Sequence, residues 1–254
     1  MAPIAKRKWW MLVGAATLAV VMICAALTSV QQMPAMPRVL TETFYEFADG
    51  QQVCNRVFFF EIDGFLTADQ CDQLRNAAIS NNMHDSKVGE EHSSLDYNVR
   101  RSTQTWFRHG DNAIVRDIKD KVTKLITNQS LGQCFAGVSP DTDFEDVQVV
   151  RYTTHGKYDP HFDATECGDD VGIKCVSHQR IATVLMYLND DFTGGETRFP
   201  NLNIAVKPKK GKAIFFWVSD KMSRLIYNET LHGGDPVTSG EKWIATQWIR
   251  APVK

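Results

Sequence analysis

Ile181 to Leu188 reads Ile-Ala-Thr-Val-Leu-Met-Tyr-Leu, a run that is apolar on both alternating faces. Such a strand is stable only where it is covered on both sides, so it belongs at the centre of a layered fold. Other strand-like runs lie around it: Val147–Tyr152, Asn203–Val206, Ala213–Trp217 and Trp243–Ile249. Gly194-Gly195, Pro200, Pro208 and Gly211 break the spaces between them. Short strands punctuated in this way predict a β-sandwich or jelly roll.

The first half of the chain is built differently. Val57-Phe58-Phe59-Phe60 is β-like and leads to Gly64. Thr67 then starts a helix, with Gln70 three positions on completing a capping-box pattern. A second helix fits 112–126, where Ile114, Val115, Ile118, Val122, Leu125 and Ile126 recur at helical spacing. His84 to His92 is polar and reads as a mobile loop, and no internal repeat is present. The expected class is α+β: a double-stranded β-helix core with supporting N-terminal helices, preceded by one transmembrane helix.

That transmembrane expectation rests on Trp9 to Val30, an uncharged run of 22 residues. About 20 apolar residues cross a bilayer as a helix. The run is longer than the apolar stretch of a cleaved signal peptide, roughly 7–15 residues. Lys6-Arg7-Lys8 precedes it, and cationic flanks stay in the cytosol. The expected layout is a cytosolic tail (1–8), a signal anchor (9–30), a stalk (31–54) and a lumenal domain (55–254). That is a single-pass type II protein of the endoplasmic reticulum or Golgi membrane. The sequons Asn128-Gln129-Ser130 and Asn228-Glu229-Thr230 agree with a secretory address, as would a bridge between Cys167 and Cys175. The net charge is −2, and −5 without the first thirty residues (25 basic against 30 acidic), so nothing points to nucleic acid.

Chemistry concentrates late in the chain. His161 and Asp163 lie two residues apart in Tyr158-Asp159-Pro160-His161-Phe162-Asp163, and in extended backbone such positions face the same way. Phe162 would then turn into the fold. His232 follows 71 residues later (232 − 161). Two imidazoles and one carboxylate are the ligand set of non-haem Fe(II) oxygenases. Lys242 sits in the apolar-aromatic run Lys242–Ile249, where an inward lysine needs an anionic partner. A dicarboxylic keto acid would supply one. His84, His92, His109, His155 and His178 have the ordinary structural reading. A zinc hydrolase would need an H-E-x-x-H helix or a cysteine ligand set, and the sequence has neither.

The segment Gln148-Val149-Val150-Arg151-Tyr152, Gly156, Tyr158, Pro160-His161-Phe162-Asp163 resembles the iron-binding signature of the prolyl 4-hydroxylase family. The likeness runs on through Arg180–Asn189, Gly194-Gly195-Glu196-Thr197, Phe199-Pro200, Val206–Gly211 and Phe215-Phe216-Trp217. It ends with Leu231-His232-Gly233-Gly234, Pro236-Val237 and Gly240-Glu241-Lys242-Trp243, and Arg101–Trp106 resembles an upstream element on the substrate side. The match spans about 55–252, in order. The membrane-anchored layout is similar to the plant and algal type of enzyme.

The resemblance implies that His161, Asp163 and His232 bind Fe(II). Lys242 would pair with the far carboxylate of 2-oxoglutarate, helped by Tyr152 and Thr197, with Trp248 walling that pocket. Tyr158, Arg180, Arg250 and Trp106 would lie on the peptide side, and the 84–92 loop would close over substrate. L-ascorbate would restore iron oxidised in uncoupled turnovers. Substrates would be proline-rich, collagen-like or extensin-like proteins. Asp235 departs from the family, many of whose members have cysteine there. Two other readings share the fold: hydroxylation of another residue such as lysine, and a non-catalytic binding module. Lysine-directed relatives often hold the keto acid with arginine, and the complete ligand set argues against the module.

Overall fold

The computed structural model describes residues 38–44, 56–88, 94–127, 131–132, 134–165, 178–221 and 225–252. The Trp9–Val30 run, Cys167 with Cys175, and the Asn128 sequon lie outside the described residues. Among the described residues no helix is long and apolar enough to cross a membrane.

The strands in chain order are β1 (Arg38–Phe44), β2 (Arg56–Ile62), β3 (His84–Asp85), β4 (Arg100–Arg101), β5 (Thr103–Phe107), β6 (Val147–Tyr152), β7 (Lys157–His161) and β8 (His178–Tyr187). Then come β9 (Thr193–Gly194), β10 (Thr197–Phe199), β11 (Ile204–Val206), β12 (Ala213–Trp217), β13 (His232–Gly234), β14 (Val237–Ser239) and β15 (Lys242–Pro252). Two helices, α1 (Ala68–Ser80) and α2 (Ala113–Ile126), interrupt the first half.

Eight strands form the larger sheet in the order β1-β2-β12-β8-β15-β6-β5-β3, and five form the smaller one, β11-β10-β13-β7-β4. Strands β14 and β9 make a separate pair. The doubly apolar run sits in β8, flanked by β12 and β15, as its two-faced burial requires. Val184, Met186, Ala245, Val149 and Phe215 face one way and pack with Leu74, Ile118 and Val122 of the helices. Leu185, Tyr187, Ile244, Val150 and Ile214 face the other way, toward the smaller sheet. The result is a jelly-roll core with helices backing one face.

Local signals account for the helix starts. Thr67 accepts from the Gln70 N–H at 3.1 Å while the Gln70 side chain accepts from the Thr67 N–H at 2.9 Å. Asn112 caps α2 by accepting from the Val115 N–H at 2.9 Å. Three expectations need correction. The stalk expected at 31–54 contains β1, which pairs with β2 and extends the sheet. The polar 84–92 segment begins with β3, paired with β5, and Val88 bridges Ser94; residues 89–93 lie outside the described set. Phe162 does not join either core cluster and is half-buried.

Candidate metal centre and anion pocket

Strand pairing brings the distant histidines together. Strand β13 runs antiparallel to β7 with His232 directly opposite His161, so both rings project from one face of the smaller sheet. Asp163 follows just past the end of β7. Its Oδ1 is 3.6 Å from His161 Nε2 and its Oδ2 is 3.7 Å from His232 Nε2. The three ligand atoms lie within 4.8 Å of one another.

The surroundings fit a metal. His161 Nδ1 lies 2.9 Å from the Asp159 carbonyl and His232 Nδ1 lies 2.9 Å from the Thr230 carbonyl. A carbonyl can only accept, so each Nδ1 carries the proton and each Nε2 turns a lone pair inward. Thr183, in the centre of β8, donates to Asp163 Oδ2 at 2.7 Å. Metal–ligand bonds near 2.1 Å hold donor atoms about 3 Å apart, so the three side chains would have to draw together by about 1 Å to close on an ion. Phe199 and Phe216 pack against His232, at centroid distances of 5.5 and 4.8 Å, and Tyr158 stacks on His161 at 3.7 Å. His161 is the ligand with some exposure, which opens the site on its side.

Electrostatics follow from burial. Desolvation lowers His232 to about 4 against the pull of Asp163, which leaves it neutral and able to ligate. Burial alone would raise Asp163, but His232, His161 and Arg180 hold it below the ordinary carboxylate range.

A second pocket surrounds Lys242, which begins β15 opposite Tyr152 of β6. Its side chain is 3% exposed. Among the described residues its ammonium has no ion pair or hydrogen bond. It lies 5.4 Å from the Tyr152 ring centroid and 5.8 Å from that of Tyr187. Desolvation lowers it to about 8, against the attraction of Asp235 and Glu196. Gly195, at φ +69°, and Gly234 make the room: added Cβ atoms would stand 3.2 Å from Lys242 Cδ and 3.6 Å from Nζ. A buried cation without a counter-ion is an anion site. Thr197, expected beside it, is buried and accepts from the Tyr187 hydroxyl at 2.7 Å.

Trp248 shares its strand with Lys242. It lies six residues along β15 from Lys242, about 20 Å of strand, and pairs with Thr183. That partner is the threonine which donates to Asp163. The Trp248 ring lies 3.9 Å from the Arg180 guanidinium and 5.7 Å from Trp106. Arg180 and Arg250 share one carboxylate, Glu145, at 2.5 and 2.7 Å. These two arginines outweigh burial and lower the Glu145 pKa. Trp106, Trp248, Arg180 and Arg250 are thus linked to one another through ring contacts and Glu145, while Tyr158 lies against His161.

Sequence reading missed three residues here. Thr183 was hidden inside an apolar run. Glu145 is one of 30 acidic residues and carries no local pattern. Arg100 stands one residue before the quoted Arg101–Trp106 element. It is 4% exposed, donates to Ser102 Oγ at 3.1 Å, and lies 4.5 Å from the Tyr158 ring.

Known proteins resemble this chain in sequence and fold. The family model of the 2OG-Fe(II) oxygenase superfamily matches residues 147–250. Prolyl 4-hydroxylase 2 of Arabidopsis thaliana is 36% identical over 222 residues, covering 78% of this chain and 69% of the relative. The viral collagen prolyl hydroxylase of Paramecium Bursaria Chlorella virus-1, solved as a 2OG complex, is 40% identical with a TM-score of 0.64. That likeness covers 81% of this chain and 99% of the viral one. A prolyl hydroxylase from Trichoplax adhaerens, solved with a hypoxia inducible factor peptide fragment, shares the fold at 21% identity and a TM-score of 0.56, over 75% of this chain and 82% of its own.

Proposed function

This chain belongs to the prolyl 4-hydroxylase family of 2OG-Fe(II) oxygenases, and from that premise we propose that it acts on proline in collagen-like or other proline-rich proteins. As a family member it is a peptidyl-proline hydroxylase dependent on iron and 2-oxoglutarate. The observation that carries the reading of the site is the pairing of a His161–Asp163–His232 triad with a buried Lys242 that has no ion pair among the described residues.

In this reading His161, Asp163 and His232 hold Fe(II), and Lys242 takes the far carboxylate of 2-oxoglutarate with Tyr152 and Thr197 beside it. Bound together, the metal and keto acid supply the oxidation that converts 2-oxoglutarate and dioxygen to succinate and carbon dioxide and places a hydroxyl on prolyl carbon 4. The protein's own part is orientation. The Asp159 and Thr230 carbonyls fix the imidazoles, and Thr183 fixes the carboxylate. Phe199 and Phe216 keep water from the His232 side. A polyproline II peptide has no internal hydrogen bonds, so its carbonyls are free for guanidiniums while its rings lie on aromatic faces. Arg180, Arg250, Tyr158 and Trp106 offer both. Ascorbate would return iron oxidised in uncoupled turnovers to the ferrous state.

The test is mass spectrometry of peptides incubated with the chain, Fe(II), 2-oxoglutarate and ascorbate. Gly-X-Pro repeats and extensin-like repeats are expected to gain one oxygen atom on proline. Oxygen appearing on lysine instead, or succinate forming with no modified peptide, would contradict the proposal.

Trp9–Val30 supports an anchor in the endoplasmic reticulum or Golgi membrane, with 55–254 in the lumen. Protease added to intact microsomes is then expected to spare residues 31–254. Digestion of that region from the cytosolic side would reverse the topology.

A further inference from the structure

Two chain segments flank Lys242, and both carry acids. The 195–197 and 233–235 segments run side by side, with Thr197 opposite Gly234, Arg198 opposite Gly233, and the Asp235 N–H donating to the Glu196 carbonyl at 2.9 Å. Gly195 and Gly234 lie against the lysine stem and ammonium. The first acidic side chains beyond them are Glu196 and Asp235, and both attract the Lys242 charge. A free carboxylate on this rim would be a counter-ion for the ammonium, in competition with an incoming dicarboxylate.

Arg198 holds the nearer of these acids in an ion pair. Its Nε donates to the two Asp235 oxygens at 3.2 and 3.0 Å, and a terminal nitrogen donates to Oδ2 at 2.5 Å. Thr197 points inward and is 2% exposed, whereas Arg198 is turned to solvent. Arg198 therefore ties the Asp235 carboxylate on the outer side of the strand pair. From the larger sheet, the groups over the ammonium are Tyr152 and Tyr187, both raised by burial and neutral. The charges that act on the anchor are Asp235 and Glu196, the first of them paired with Arg198, with His232 neutral nearby.

We propose that Arg198 is a positioning residue for co-substrate capture: it withholds Asp235 from Lys242 and so keeps the anchor open to 2-oxoglutarate. The inference rests on the reading of Lys242 as that anchor.

The experiment is calorimetric titration of 2-oxoglutarate into the full-length chain loaded with Mn(II), without oxygen. Arg198→Gln is expected to weaken binding about tenfold, the scale of one unscreened charge several ångströms from the bound carboxylate. Asp235→Asn should bind at least as tightly as wild type, and the double variant should return to within about twofold of it. In turnover the KM for 2-oxoglutarate should rise in Arg198→Gln with kcat retained. Exposed ion pairs add little to stability, so this variant should melt close to wild type. Should it fail to fold, Asp235→Asn and Arg198→Lys, which keeps the tether, still report on the same carboxylate. Wild-type affinity in Arg198→Gln, or a double variant as weak as Arg198→Gln, would overturn the proposal. A wild-type chain that binds no 2-oxoglutarate would instead overturn the assignment of Lys242.

Discussion

Replacing His161 with alanine should reduce 2-oxoglutarate turnover by well over ~100-fold, since changes merely adjacent to a metal's ligands already cost about 10–100-fold in affinity or activity. The loss should be one of metal, not of fold. His161 is the most exposed member of the triad, with a side-chain exposure of 23% against 5% for Asp163 and 6% for His232. What the fold loses is its stack on Tyr158, a contribution on the order of 1 kcal/mol. Melting curves separate the two effects. Mn(II) should raise the melting temperature of the wild-type chain by binding the native state alone, and should do so far less for His161→Ala. A variant that unfolds without metal would place His161 in the framework; one that keeps its turnover would remove the triad from the chemistry.

Lys242→Met should move affinity and stability in opposite directions. Truncating one partner of a buried charge pair costs about 2–5 kcal/mol, so 2-oxoglutarate binding should fall by ~30-fold or more. The ligand-free protein should become more stable. Burial lowers the lysine from 10.5 to about 8, which corresponds to on the order of 3 kcal/mol held against the charged form at neutral pH. Methionine fills similar space without that cost. The pH dependence has a definite sign. The unfolded chain keeps the proton up to 10.5, while the folded one releases it near 8. Between those values the unfolded state binds more protons, so wild-type stability should rise with pH and then level off. Below about 8 the full cost is present and constant. Lys242→Met should lack this rise. Co-substrate affinity should mirror it, flat below about 8 and falling by up to about tenfold per pH unit above it. Calorimetry and thermal melts across pH 6–10 would show both, and a destabilised Lys242→Met would mean the ammonium already has a partner in the ligand-free protein.

What the sequence revealed was what local pattern can encode. The two-faced apolar run placed β8, the Thr67–Gln70 box placed α1, and the i, i+2 spacing joined His161 to Asp163. What it hid depends on pairing between distant segments. His232 is the exception: its residue type marked it as the third ligand, although it meets His161 only through the β13–β7 register and neither strand is long enough for a period to show. Thr183 looks like any residue of an apolar strand until β8 is laid beside Asp163. Glu145 gains meaning only when Arg180 and Arg250 converge on it. Strand β1 was overlooked because Pro34 and Pro37 gave the 31–54 segment the look of a linker.

The most direct measurement is the fate of labelled dioxygen. The chain is supplied with Fe(II), 2-oxoglutarate and a Gly-X-Pro peptide under ¹⁸O₂, and peptide and succinate are weighed by mass spectrometry. The expected result is one labelled oxygen on carbon 4 of proline and one in succinate, in equal amounts. Succinate formed with an unlabelled or unmodified peptide would contradict the account.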